Sequence, residues 1–385
     1  MRGSIIKRGD SYRIKVSLGK DPATGKYLSH FETVSGNKKD AERRLNEVLH
    51  EHEKGIFVKP GKLTVADYMK RWLADVCLPN MTPRTYEGYE FNVLKYINPI
   101  IGHLRLTELK PAQLQHLYSD IQAAGHHRTA QYVHNTINKA LNSAVKTGLL
   151  ARNPASAVEA PKVSRHEMKP MSQPQLREFL ELAKKTDYYA LFYLALFSGM
   201  RRSELLALRW SDCDLPLCQV SVNRTMHLMR YGTYKGQVIF KQPKTAKSRR
   251  LISMTPTTAL ALAQHKDAQS RIRASLNLPA LTGEDLVFSQ WDGKPLLPDN
   301  VSHYWMKLAR RAGLNGVRFH DSRHTHATIM LQQGVHPKIV QERLGHVSIE
   351  TTLDTYSHVA PGLQEAAAAK FDDVVLPREK VASRI

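Results

Sequence analysis

The sequence predicts a multidomain α+β protein in three parts. These are a small β-sheet with one helix over residues 1–58, an all-helical segment over 63–160, and a mixed α/β segment over 168–385. Three observations lead there. The chain has 385 residues, too many for one ordinary core. Its apolar residues alternate with period two near the N-terminus and then recur at helical spacing. Gly- and Pro-bearing stretches, Gly55–Gly61 and Ala160–Pro170, separate the three patterns as linkers.

In the first part, Ile5–Arg8 meets the turn Gly9-Asp10, and Tyr12, Ile14 and Val16 then alternate with Arg13, Lys15 and Ser17. A second turn over Asp21–Gly25 leads into Lys26–Val34. Asn37 can cap a helix through Ala41, Leu45, Val48 and Leu49 that ends near Gly55. In the second part Thr64 with Asp67 forms a capping pattern, and Thr82-Pro83 is a helix start. Helices are expected over Tyr86–Tyr96, Pro111–Ala123 and Thr129–Thr147, with Gly148 as the stop and Arg152-Asn153-Pro154 beginning the connector. In the third, Ser172 and Gln175 make a capping box, and a buried helix over Tyr188–Phe197 breaks at Ser198-Gly199. Strands are expected over Val220–Met226, Val238–Gln242 and Arg249–Met254, the last two pairing as a hairpin across Pro243–Ser248. Helices resume from Asn300, interrupted around Gly313 and Gly345.

The formal charge is +21. It divides as +5 over residues 1–60, +6 over 61–165 and +10 over the remainder, so the excess is no basic tail. A polyanion touching every part accounts for that spread. An anionic membrane would call for a compact polybasic or amphipathic anchor, and none is visible. Three cysteines, Cys77, Cys213 and Cys218, make no disulfide framework and no metal spacing. The N-terminus lacks an apolar segment of signal-peptide length, and Tyr188–Phe197 is too short to span a bilayer. A cytoplasmic protein is expected.

Four clusters carry chemistry. Gly199-Met200-Arg201-Arg202-Ser203-Glu204 presents an arginine at a helix start, where a guanidinium and backbone amides suit a phosphate; a plain Arg201–Glu204 surface pair is the bland alternative. In Arg318–His326, a helix would set His320, Arg323 and His324 on one face. Those histidines could ligate a metal, but no glutamate or cysteine completes such a site, and buried structural histidines compete with both readings. Leu344-Gly345-His346 precedes Ser348, which can cap a helix carrying Tyr356. Pro243–Arg250 is a strongly basic turn. Singly, each of these is explained as well by packing or solvation.

Their order resembles the signature of the tyrosine recombinase, or phage integrase, family. Ser198–Leu205 resembles its first arginine box and His320–Thr328 its second. Leu344–Ser348 followed by Thr351–Tyr356 is similar to the nucleophile box, and Lys244 fits the family's hairpin lysine, with Lys241 and Lys247 nearby. Ser322 stands where leucine is more usual. Residues 63–155 resemble the helical core-binding domain, and 4–55 the small β domain used on accessory arm sites.

The resemblance implies a catalytic domain at 168–385 and a catalytic set of Arg201, Lys244, His320, Arg323, His346 and Tyr356. Tyr356 would attack a scissile phosphate, giving a 3′-phosphotyrosine and a free 5′-hydroxyl. Arg201 and Arg323 would grip the non-bridging oxygens, His320 and His346 would add hydrogen bonds, and His320 could take the tyrosine proton. Lys244 would protonate the leaving oxygen. No metal or other cofactor is implied. Double-stranded attachment-site DNA and a DNA-bound homotetramer passing through a Holliday junction are. A directionality factor or a DNA-bending host protein could assist, and the tail after Pro361 would dock on a neighbouring protomer. Two other readings share the scaffold: a type IB topoisomerase, against which the arm-like first domain speaks, and a DNA-binding regulator, which would lack some of the six residues.

Overall fold

Gly9, held at φ 58°, lets β1 (Gly3–Arg8) fold back on β2 (Ser11–Lys20), which pairs antiparallel with β3 (Tyr27–Ser35) in turn. This is the start of a computed structural model that describes residues 3–20, 25, 27–53, 61–163, 170–242, 249–356 and 371, without the side chains of 18–20, 51, 52 and 354–356. The linker residues 54–60, the connector residues 164–169, the turn over 243–248 and the tail after Pro361 other than Phe371 lie outside the described residues.

The alternation in β2 sorts the sheet as expected. Ile14 and Val16 are fully buried with Ala41 and Val48 of α1 (Lys38–Glu53), whose start is capped by the Asn37 side chain accepting from the Asp40 amide. The other face stays open, with Ile6 opposite Arg13 and Lys15 opposite Phe31. The Arg13 guanidinium sits 4.7 Å from the Phe31 ring centre and the Lys15 ammonium 5.7 Å.

A separate core belongs to the helical residues. α2 (Val65–Arg71) is capped by Thr64 and runs on through a π-helical turn, Trp72–Cys77. α3 (Pro83–Asn92) is capped by Thr82 and likewise continues through a π turn, Val93–Ile97. α4 (Pro111–Ala123) and α5 (His127–Lys146) complete the layer, burying Leu114, Leu117, Tyr118, Ile137 and Leu141. Asn153 does not begin a connector. It donates to the Asn138 and Asn142 side chains of α5 at 2.6 and 2.8 Å and caps a short 3₁₀ turn, Pro154–Ala157, through the Ala155 amide.

Compact packing divides the chain into Met1–Arg165 with Tyr231–Tyr234, and His166–Arg230 with Lys235–Ile385. In the latter, α6 (Gln173–Ala183) opens on the Ser172/Gln175 capping box, and α7 (Tyr189–Ser198) is the buried helix. Phe192 of α7 and Phe179 of α6 meet Trp305 with ring centres 5.1 and 4.4 Å apart, and Phe319 lies 5.1 Å from the same indole. Each such pair contributes about 0.5–1.5 kcal/mol beyond the area it buries. The cluster packs the first turn of α7 against Phe319, the residue preceding His320. A short helix, α8 (Arg202–Leu205), follows α7.

The strands correct the sequence reading. The expected Val220–Met226 strand is broken at Asn223-Arg224 into β5 (Gln219–Val222) and β6 (Thr225–Leu228). Asn223 donates to Asp212 at 2.9 Å and the Arg224 Nε to the Ala207 carbonyl at 2.7 Å, which turns the chain out of register. β6 pairs with β7 (Val238–Lys241), while β5 pairs with β8 (Arg250–Ser253) on one side and β4 (Cys213–Asp214) on the other. The two strands flanking 243–248 therefore belong to different sheets and do not pair with one another as a hairpin. Then come α9 (Pro256–Ser275), α10 (Pro298–Arg311), α11 (Asp321–Gln332), α12 (Pro337–Leu344) and α13 (Ile349–Tyr356). The protein is thus a multidomain α+β chain. Among the described residues no helix is long and apolar enough to cross a membrane.

Candidate active site

α7 ends because Gly199 adopts a left-handed conformation, φ 65°. A side chain there would also collide, since an added Cβ would lie 2.6 Å from Leu344 and 2.8 Å from the His326 ring. The turn puts Arg201 at the N-cap of α8 with its amide and its guanidinium both on Glu204, at 2.9 and 2.8 Å. The surface pair offered as the bland alternative therefore exists, but it is not a surface feature. Glu204 is 3% exposed and also receives two bonds from Arg250, at 3.1 and 2.8 Å. Its carboxyl is held below the usual range: burial opposes ionisation, and the guanidiniums of Arg250 and Arg201 outweigh that.

A second Arg201 nitrogen donates to the Gly345 carbonyl at 3.0 Å. Gly345, at φ 66°, caps α12, and Arg250 lies so close that an added Cβ would be 3.0 Å from its guanidinium. Arg250 also donates through Nε to the Arg343 carbonyl at 2.7 Å. Arg323, 2% exposed in the first turn of α11, donates to the Gly199 carbonyl at 2.8 Å. The two arginines singled out in the sequence are thus aimed by two glycine carbonyls, one at the end of α7 and one at the end of α12.

The histidines gather round them. His320 is the N-cap of α11, and its ring lies 5.1 Å from that of His324, edge on. Burial of the ring, then the charge of Arg323, lowers the His320 pKa. Burial and the neighbouring His320 ring bring His324 down to about 4. His346 is pushed to about 3 by burial and by Arg323 and Arg201. Its Nδ1 lies 2.8 Å from the hydroxyl of Thr352, a fully buried residue of α13, so the ring's orientation is fixed from the nucleophile-box helix. All three rings are neutral at physiological pH. They can donate or accept one hydrogen bond beside fixed positive charge, a combination suited to an oxyanion and to moving a proton.

Arg201, His320, Arg323 and His346 are therefore brought into one electrostatic neighbourhood. Lys244 lies outside the described residues, as does Lys247. Lys241 ends β7. Tyr356 closes α13, ten residues after His346, and its side chain is outside the described residues. Among the described residues no group of three or more histidine, cysteine or acidic side chains could hold a metal ion. Sequence reasoning passed over Arg343, and it gave no role to Arg250, His326 and Thr352, which lie within the stretches it singled out. The Arg201–Glu204 link was legible from its spacing; Arg250 reaches Glu204 and the Arg343 carbonyl, and Arg343 the carbonyls of Phe197 and Ser253, all in distant segments that nothing in the sequence marks as partners.

Residues 169–362 match the model of the phage integrase family, and 64–122 that of the phage integrase N-terminal SAM-like domain. A tyrosine recombinase XerC-like protein of Caldanaerobacter subterraneus is 29% identical over 97% of this chain and 99% of its own length. The ICEBs1 integrase of Bacillus subtilis is 25% identical over 94% and 97%. Among solved structures, the Tn1549 transposon integrase bound to circular-intermediate DNA superposes with a TM-score of 0.65 at 18% identity, covering 81% of this chain and all of that one. A lambda integrase tetramer on a Holliday junction gives 0.58 at 18% identity over 90% and 93%.

Proposed function

This chain belongs to the phage integrase family of tyrosine-type site-specific DNA recombinases, and we propose that it cuts and rejoins DNA at the ends of a mobile element through Tyr356. The observation that carries this reading is the convergence of Arg201 and Arg323 on the Gly345 and Gly199 carbonyls beside neutral His346. A phosphodiester resists attack because its oxygens repel an incoming nucleophile. Two guanidiniums held in place before the substrate arrives offset that repulsion without reorganising.

In this reading Tyr356 attacks the scissile phosphorus, its proton passing to neutral His320, and the bond to the 5′-oxygen breaks as Lys244 protonates it. The 3′-phosphotyrosine preserves the phosphoester energy, so attack by a 5′-hydroxyl from the partner duplex reseals the strand. The partner is double-stranded DNA, engaged by a homotetramer that passes through a Holliday junction, and the protein works in the cytoplasm on the nucleoid. The open face of β1–β3, with Arg13 and Lys15 beside Phe31, supports a separable module at residues 1–58 for accessory DNA sites, ahead of a core-binding domain at 63–160 and a catalytic domain at 168–385.

The test is a nicked suicide duplex carrying the crossover sequence. The wild-type chain should accumulate a covalent adduct, and Tyr356→Phe should bind the duplex with little change and form none. An adduct with the phenylalanine variant would overturn the assignment. A supercoil-relaxation assay beside a two-site recombination assay separates recombination from topoisomerase-like strand passage.

A further inference from the structure

Two side chains that play no part in the mechanism above meet behind the candidate phosphate site. The Arg343 Nε donates to the His326 Nε2 at 3.0 Å. Its two other nitrogens donate to the carbonyls of Ser253 and Phe197, both at 2.9 Å. The opposite ring nitrogen of His326, Nδ1, lies 2.9 Å from the Leu196 carbonyl. A carbonyl only accepts, so Nδ1 carries the proton and Nε2 is left as the acceptor that Arg343 requires. Burial and the Arg343 charge bring His326 down to about 4, consistent with that neutral form.

Each of these partners lies next to a residue of the site. Phe197 and Leu196 end α7, directly before the Gly199–Arg201 turn. Ser253 ends β8, the strand that begins with Arg250. Arg343 itself lies two residues before Gly345, and its own carbonyl accepts from Arg250. His326 is on α11, three residues after Arg323, and its ring closes against Gly199.

We propose that His326 and Arg343 are a pair of positioning residues that clasp α7, β8, α11 and the end of α12 together, and so set the distance between the arginine turn and the Gly345-His346 turn. Neither touches DNA. A guanidinium is needed because three donors in one plane reach three elements at once, and a lysine ammonium cannot reproduce that fork. A neutral ring, or an amide, is needed opposite because the position must donate on one side and accept on the other.

This inference rests on the recombinase reading, and the experiment separates the two. Single-turnover adduct formation is measured on the nicked crossover duplex, with duplex affinity by gel shift and the melting midpoint followed in parallel. Arg343→Lys and His326→Phe should slow adduct formation roughly ten- to a hundredfold while affinity stays within about twofold, because misplacement of the site by a fraction of an ångström falls on the chemical step. His326→Gln, whose amide both donates and accepts, should recover to within about threefold of the wild type. Wild-type rates in Arg343→Lys and His326→Phe would overturn the proposal. So would affinity falling in step with rate, or a glutamine variant as slow as the phenylalanine one. Should Arg343→Lys not fold, the His326 pair decides alone. A wild-type chain that binds the duplex and forms no adduct refutes the recombinase reading instead, and this proposal with it.

Discussion

Glu204→Gln isolates the electrostatic centre of the site with almost no change of shape. The carboxylate takes two bonds on each oxygen: Oε1 from the guanidiniums of Arg201 and Arg250, Oε2 from the Arg201 amide and from Arg250 again. An amide keeps one of those oxygens and turns an N–H₂ group toward the two remaining donors. Two charge-assisted bonds are lost, each contributing about 1.5–3 kcal/mol, and the Arg250 side chain, 7% exposed, is left short of its counter-charge. The sum, about 3–6 kcal/mol, overlaps the usual cost of about 3–5 kcal/mol for breaking a buried ion pair from one side. Urea unfolding followed through the buried Trp305 and Trp210 reads that loss directly. Because Arg201 loses half of its tether, adduct formation on the suicide duplex should fall by roughly a hundredfold, as removal of a preorganised oxyanion donor does. Glu204→Asp should lie between the two. A stability change below about 1 kcal/mol, or cleavage at the wild-type rate, would refute the view that Glu204 aims the arginine.

Lys244→Ala should slow cleavage, and a 5′-phosphorothiolate duplex should restore most of the rate, because a thiolate leaves without help from an acid; rescue confined to Lys241→Ala or Lys247→Ala would move the role to that lysine. Removal of residues 1–58 should leave core-site cleavage intact, and the salt dependence of binding should flatten by roughly 0.9 in log–log slope for each phosphate that the shortened chain no longer neutralises. Identical footprints and slopes for both forms would return the basic sheet face to ordinary solvation. The folded pKa values of His324 and His326 near 4 and His346 near 3 lie below the ordinary 6.5. Between pH 6.5 and about 4 the unfolded chain therefore binds protons that the folded chain refuses, so stability should fall as pH is lowered through that window and be level above about 7. A urea midpoint at pH 5 equal to that at pH 7.5 would contradict the burial of these rings.

Many elements of the chain could be read from local chemistry. Thr64, Thr82 and Ser172 each cap the helix they were expected to cap, and Gly199 stops α7 for the conformational reason its position suggested. Failures occurred where partners are distant. Nothing local says that Asn223 and Arg224 will be drawn to Asp212 and Ala207, so one apparent strand became two, paired in different sheets. α9 had no expectation attached to it: its buried side is made of Thr258, Ala259, Ala261 and Leu262, too short and too mixed to stand out as an apolar stripe. In the site, His320, Arg323 and His346 were visible as residue types in order, while the side chains that orient them were not. Several of the contacts that set the site span more than a hundred residues, as from Arg323 to the Gly199 carbonyl and from Arg201 to the Gly345 carbonyl.

Every guanidinium of this site reaches a main-chain oxygen: Arg201 at Gly345, Arg323 at Gly199, Arg250 at Arg343, and Arg343 at Phe197 and Ser253. A carbonyl is present whatever side chain its residue carries, so this share of each arginine's bearing is written in the path of the backbone, beside the share that Glu204 and His326 supply. Point substitutions at Phe197 or Ser253 leave the acceptor where it was. Insertion or deletion of a single residue between Leu196 and Arg201 displaces the Gly199 carbonyl, and one between Arg343 and His346 displaces the Gly345 carbonyl. A library of single-codon deletions across 196–201 and 343–346 should therefore be far less active than a library of conservative substitutions at Leu196, Phe197 and Met200, which keeps Arg201, Arg343 and His346 and every carbonyl in place.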